Sequence, residues 1–276
     1  LAGDMRVKGF MIGGTAGRTT LNGEGLQHED GQSHLLAYPV PNLEAYDPAF
    51  GYEIAVIIRE GIRRMYVEQE DIFYYMTVEN DPYRMPEMPD GVEEGILKGM
   101  YKFKASTKKR AKLKANLFGS GAIMNGALEA QKILEEDYKV SADVWSITSY
   151  KALHRDCLDA ERWNRMHPGD KTRLSYLEQC LEKESGVYVM ASDYVKALPE
   201  SIARWFPNPP VALGTDGFGR SESREALRDH FEVDARFIVL GALGALAREG
   251  EIDVAVVTKA MKDLKIDPEK ANPAYL

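Results

Sequence analysis

The chain has 276 residues, with 43 acidic and 35 basic side chains and a formal net charge of −8 at pH 7. At 44% hydrophobic and 28% charged residues it has the composition of a folded globular protein, with ample material for a buried core. The negative balance excludes bulk electrostatic binding to nucleic acid, and the longest apolar run, residues 237–247, is too short to span a bilayer and holds two glycines.

Two cysteines, Cys157 and Cys180, cannot build a disulfide framework, and no Cys-x-x-Cys pair suggests zinc. No apolar signal segment with a cleavage site follows the first residue, so a reducing cytoplasm is the expected setting. The chain opens on Leu1 and enters an apolar, glycine-rich segment within a dozen residues, which reads as a fragment.

In chain order, residues 10–13 read as the end of a buried strand entering a glycine turn. Asp47 and Pro48 read as N-cap and first position of a helix to about Tyr66, with Phe50, Ile54, Ile57, Ile58, Ile62 and Met65 on one face. Residues 72–78 are apolar throughout, as in a strand covered on both faces. Prolines 82, 86 and 89 break the pattern. The basic run of Lys104, Lys108, Lys109, Arg110, Lys112 and Lys114 reads as a solvated connector and a domain boundary, dividing the chain into 1–104 and 105–276.

Beyond it, strands are expected over 115–118, 140–148, 187–190 and 211–213. Helices are expected over 122–137, from Ser192 or Asp193 as cap towards Phe206, and from about Glu222 (capped by Ser221), Ala235 and Ile252. Alternating strands and helices imply an open, largely parallel sheet with helices on both faces, so both halves are α/β.

Three segments invite a chemical reading. Residues 13–20, GGTAGRTT, fall one residue short of a P-loop and place Arg18 where lysine is needed, which excludes that function. Residues 118–121, FGSG, lack the third glycine of a dinucleotide fingerprint and read as a tight strand-to-helix turn, as do the glycines of 214–221. Residues 21–34 are different: two histidines, three carboxylates and three glycines stand there with hardly an apolar side chain. Histidine can exchange a proton near neutral pH, and neighbouring carboxylates can hold its tautomer. A metal set of His28, Asp30 and His34 matches no standard spacing. From the residues alone, an active-site loop and a polar surface loop are balanced alternatives. His154, beside Cys157, and His167, before Pro168, read as structural.

The stretches KGFMIGGTAGRTTLNGEGLQHEDG and YDPAFGYEIAVI, then DVWSITSY, ERWNRMHP, GTDGFGRSESREALRDHFEVDA and GEID, closely resemble the decarboxylating component of bacterial, homodimeric-type pyruvate dehydrogenase. The resemblance implies a transketolase-like fold: the end of a pyrimidine-binding middle domain over 1–104 and a complete transketolase C-terminal-like α/β domain over 105–276. It implies a thiamine diphosphate- and Mg²⁺-dependent homodimer that decarboxylates pyruvate and acetylates the lipoyl group of dihydrolipoyl acetyltransferase. The Mg²⁺ motif and the glutamate that activates the cofactor are expected outside this segment, so no metal ligand or cofactor contact is assigned within it. The position matching His28 is implied to be the acid/base or substrate-orienting group. Glu24, Asp30 and His34 are candidates for organising substrate or loop, and Gln32 stands where family members commonly carry histidine. The alternatives are a non-catalytic dimerisation or structural module, or a related 2-oxo acid dehydrogenase or transketolase.

Overall fold

The computed structural model of the chain describes residues 1–108 and 111–276. Strands β1 (Phe10–Gly13), β2 (Leu43–Tyr46) and β3 (Phe73–Thr77) form a parallel sheet in the order β1-β3-β2. A second sheet takes β4 (Met100–Lys104), β5 (Lys114–Gly119), β6 (Ser141–Ile147), β7 (Val187–Ala191) and β8 (Val211–Leu213) in the order β4-β6-β5-β7-β8. Only β4 runs antiparallel, against β6.

Side-chain alternation divides the second core into two layers. Leu117, Val144 and Val189 face one way and pack on helices α4 (Ile123–Asp137) and α9 (Ala235–Arg248). Their neighbours Phe118, Trp145, Tyr188 and Met190 face the other way, towards α5 (Tyr150–Met166) and α6 (Tyr176–Leu181). In the first sheet, Tyr74 and Met76 of β3 pack on α2 (Gly51–Ile62), while Phe73 packs with Leu43, Ala45 and Ala37 on the opposite face. Both halves are therefore α/β, as the alternating pattern requires.

Several local expectations are corrected. β1 is an edge strand paired with β3, and Met11 and Ile12 are 46% and 50% exposed, so it is not a buried strand. Asp47 does not cap α2: the helix begins after Phe50, and the Glu53 carboxylate accepts from the backbone N–H of Ala49 and Phe50 at 2.5 and 3.1 Å. Ser192 and Asp193 do not cap the helix that follows, which is the short turn α7 (Ala197–Glu200); both are fully buried instead. Ser223, not Ser221, caps α8 (Arg224–His230). The last helix, α10 (Val254–Asp263), starts at the Asp253 cap. The four-residue β2, β4 and the six-residue α6 are too short to show a period in sequence.

Met100–Lys104 lies in the second sheet, and the lysines at 104, 108, 112 and 114 are exposed, as a solvated connector requires. Lys109 and Arg110 of that run lie outside the described residues.

Candidate active site

The carboxyl ends of the parallel strands of the two sheets meet, which in open α/β sheets is where ligands bind. Backbone bonds close the seam: Asp47, just after β2, donates to the Thr148 carbonyl at 2.7 Å and accepts from Gly121 at 3.3 Å. The segment after β1 joins the second sheet in the same way. Arg18 N–H donates to the Asp193 carbonyl, and the Val195 N–H donates to the Gly31 carbonyl at 3.0 Å. Arg18 and Gly31, towards the two ends of residues 14–32, are therefore both bound to the loop that follows β7.

His28 closes a one-turn 3-10 helix, Leu26–His28, whose preceding Gly25 has φ 86° and leaves room for the tight entry. Its ring is 53% exposed, and Nε2 stands 4.0 Å from Glu24 Oε2, itself 49% exposed. Imidazole and carboxylate thus share the solvent side of one loop, where a proton can be passed to or from a ligand. Asp30 turns the other way. Its Oδ1 accepts from the N–H of Gln32 and Ser33 at 3.1 and 2.9 Å, and its Oδ2 accepts from the Ser33 hydroxyl, so it organises the start of α1 (Ser33–Ala37).

His34 is buried away from this pair. Its Nε2 lies 3.0 Å from Thr77 Oγ1, and Thr77 in turn donates to Asp47 Oδ1 at 2.6 Å. With the threonine proton committed to Asp47, its oxygen accepts from His34, which assigns the imidazole proton to Nε2. Burial lowers the His34 pKa, with Asp47 and Asp30 opposing. The Tyr194 ring stands edge-on at 4.7 Å.

Around this relay the structure gathers residues with no functional reading in the sequence. The carboxyls of Asp47, Glu79 and Asp193 are buried at the strand ends, and Asp47 Oδ2, Asp193 Oδ1 and both Glu79 oxygens lack a hydrogen-bond partner. The hydroxyls of Ser120, Tyr150 and Tyr194 are equally buried and unpartnered. Burial raises the Asp193 pKa to about 7 and pushes Glu79 well above the usual carboxylate range, the latter reinforced by Asp47 and Asp193. The signal for these three was position: each follows directly, or within two residues, the C-terminal end of a parallel strand.

The bland readings of the other motifs agree with the geometry. A Cβ at Gly119 would stand 2.8 Å from the Met124 backbone, so close strand-to-helix packing explains that glycine without a ligand. His167 stacks on Trp163, and Cys157 is a buried thiol whose pKa burial pushes up to about 12. A cleft of about 750 Å³ beside the N-terminal turn, lined by Arg6, Asn42 and Phe73 among others, includes none of the candidate site residues. Among the described residues, no group of three or more His, Cys, Asp or Glu could hold a metal, and no helix is long and apolar enough to cross a membrane.

Residues 1–86 match the family described as pyruvate dehydrogenase E1 component middle domain, and residues 99–234 match the transketolase-like TK C-terminal domain. The pyruvate dehydrogenase E1 component of Pseudomonas aeruginosa is 55% identical over 273 residues, covering 99% of this chain and 31% of that protein. That of Escherichia coli K12 is 51% identical over 274 residues, covering 99% and 30%. The chain thus spans about a third of the length of these relatives. Among solved structures, transketolase from Campylobacter jejuni superposes with TM-score 0.64 at 18% identity, covering 88% of this chain and 32% of that one. A split-gene transketolase solved as an inactive β4 tetramer gives 0.58 at 18% identity, covering 86% and 67%. Matched along nearly its whole length, the chain belongs to the pyruvate dehydrogenase E1 family and corresponds to the C-terminal part of its members.

Proposed function

We propose that the chain is the C-terminal part of a subunit that decarboxylates pyruvate with thiamine diphosphate and acetylates the lipoyl group of dihydrolipoyl acetyltransferase, acting as a cytoplasmic homodimer. One observation carries the reading. In a chain of this family, the loop at the meeting of the two sheets is tied down on both sides and leaves one imidazole, His28, open to solvent with Glu24 beside it. Thiamine diphosphate supplies, when bound, the electron sink that loss of CO₂ from a 2-oxo acid requires. On this chain, His28 would hold or deliver the proton at Nε2, Glu24 would orient the imidazole, and Asp30 would keep the loop in register. His34, buried on Thr77, would hold the loop's far end to the seam rather than touch substrate. The family resemblance places the diphosphate and Mg²⁺ ligands outside this segment, and no residue of it is proposed to hold them.

The expected division at 104/105 remains a proposal. The family matches end at 86 and resume at 99, and β4 pairs into the second sheet, which favours a junction within residues 87–99.

The test is His28→Ala in the full-length subunit, followed by pyruvate-dependent reduction of an artificial acceptor. General acid–base loss predicts turnover lower by about 10²-fold or more with the fold unchanged. Near-normal turnover would overturn the assignment, and a faster rate on 2-oxoglutarate than on pyruvate would overturn the substrate. A second reading, a non-catalytic assembly module, draws support from the inactive tetramer of the split-gene transketolase. It applies to the chain by itself, and sedimentation as a monomer would count against it.

A further inference from the structure

Glu29 directly follows His28, and the two side chains have opposite fates. His28 faces solvent, whereas Glu29 is buried and reaches into the glycine-rich loop between β8 and α8, where its Oε2 accepts from the Arg220 N–H at 2.6 Å. Its other oxygen, Oε1, is buried without a partner. Gly219 is a glycine for this reason: a Cβ there would lie 2.7 Å from Glu29 Oε2 and 3.0 Å from its Cβ. Burial raises the Glu29 pKa, opposed by the Arg220 N–H and by Arg18.

Arg18 makes the matching connection. It is 3% exposed, and its Nη1 donates to the Gly217 carbonyl at 2.6 Å and to the Thr215 carbonyl. Its guanidinium lies so close over Gly31 that a Cβ there would collide with it. One ionisable side chain of the His28 segment thus grips carbonyls of the 214–220 loop, while another grips an N–H of the same loop. Burying two ionisable side chains costs more than filling the space with apolar ones, so stability alone does not account for them. Directional bonds that tie this loop to the His28 segment, beyond those that Thr215 and Asp216 make to residues 193–196, do account for them.

We propose that Arg18 and Glu29 are positioning residues for His28, fastening the 214–220 loop of the second sheet to the loop that carries the imidazole. The inference rests on the reading of His28 given above. Neither residue touches the reacting atoms. They act by fixing the backbone on either side of the imidazole, where a misplacement near 1 Å can cost about 10²-fold in rate.

The test uses the full-length subunit and four proteins: wild type, Glu29→Ala, Glu29→Gln and His28→Ala. Turnover per folded site, KM for pyruvate, the melting midpoint and hydrogen exchange of peptides covering residues 22–30 and 214–221 are measured for each. Glu29→Ala is expected to lower kcat at least about 10-fold with KM within twofold, and to speed exchange in both peptides. Glu29→Gln keeps an acceptor for the Arg220 N–H and should recover most of the rate and the protection. Wild-type turnover and exchange in Glu29→Ala, with His28→Ala inactive, would overturn the proposal. So would a loss that follows only the folded fraction, with Gln no better than Ala. If His28→Ala is fully active, the functional reading fails, and unchanged exchange in Glu29→Ala would then overturn the clamp by itself.

Discussion

Two buried glutamates on the same half of the chain sit in opposite circumstances. Glu53, on α2, has every oxygen used: Oε2 accepts from the Ala49 and Phe50 backbone, and Oε1 accepts from the Tyr101 and Ser146 hydroxyls, each at 2.7 Å. It caps its helix and ties the first unit to β4 and β6 of the second sheet. Glu79, just beyond β3, has no partner on either oxygen and stands among Asp47, Asp193 and Tyr194. A carboxylate saturated with donors is construction. A group of carboxyls with four oxygens left unpartnered at the carboxyl ends of two sheets is a cost that packing does not require, and such costs gather at functional sites.

The largest effect is expected from Glu53→Ala. It leaves three donors unpaired in the interior and Tyr101 with Tyr52 alone, and we expect a loss of about 4–5 kcal/mol in urea unfolding. A loss below about 1 kcal/mol would mean that Glu53 is no staple. Next in size is the pH dependence of Asp193. Its carboxyl ionises near pH 7 in the folded chain, whereas an unfolded aspartate ionises near pH 4. A raised carboxyl pKa means that its stabilising contribution is complete below about pH 4 and is lost as pH rises to about 7. The loss should be about 3–4 kcal/mol at most between those limits. Asp193→Asn should flatten that part of the profile, and unfolding curves from pH 4 to 8 that run parallel to wild type would exclude the effect.

Glu79→Gln replaces a carboxyl whose ionised form is disfavoured by burial and by Asp47 and Asp193, and should leave stability at pH 8 within about 1 kcal/mol of wild type, or above it. A loss as large as that of Glu53→Ala would erase the distinction between the two glutamates. Smallest of all is His28→Ala, which on an exposed ring should shift unfolding by no more than about 0.5 kcal/mol. The same substitution is expected to cripple turnover of the full-length subunit. A large loss of stability would make His28 a structural residue instead.

Much of the fold was legible from local pattern. β3, β5, β6 and β7 showed as apolar runs, and α4 and α9 as periodic segments of 15 and 14 residues, because each element carries its own period. The loop of residues 21–34 stood out by its polar side chains, but from the residues alone an active-site loop and a polar surface loop were balanced, and the structure buries Glu29 and His34 of it. Asp47 and Asp193 were misread as helix caps, since an acidic residue before a helix looks the same in sequence whether it caps the helix or is buried in a seam. Arg18 drew notice only as a failed P-loop lysine, and Glu29 only as one carboxylate of the loop.

The residues alone determined the alternation of strands and helices, the absence of a long apolar span and the segment that carries His28. All of these follow from composition and spacing over a few neighbouring positions. Which side of the loop each residue faces was decided only by tertiary structure. His28 points out, while Arg18, Glu29 and His34 point in, because their partners Gly217, Arg220 and Thr77 come from β-strand ends and a loop 43 to 199 residues away. No local period records a hydrogen bond made across such a distance; it exists only once two sheets have been packed with their carboxyl ends together.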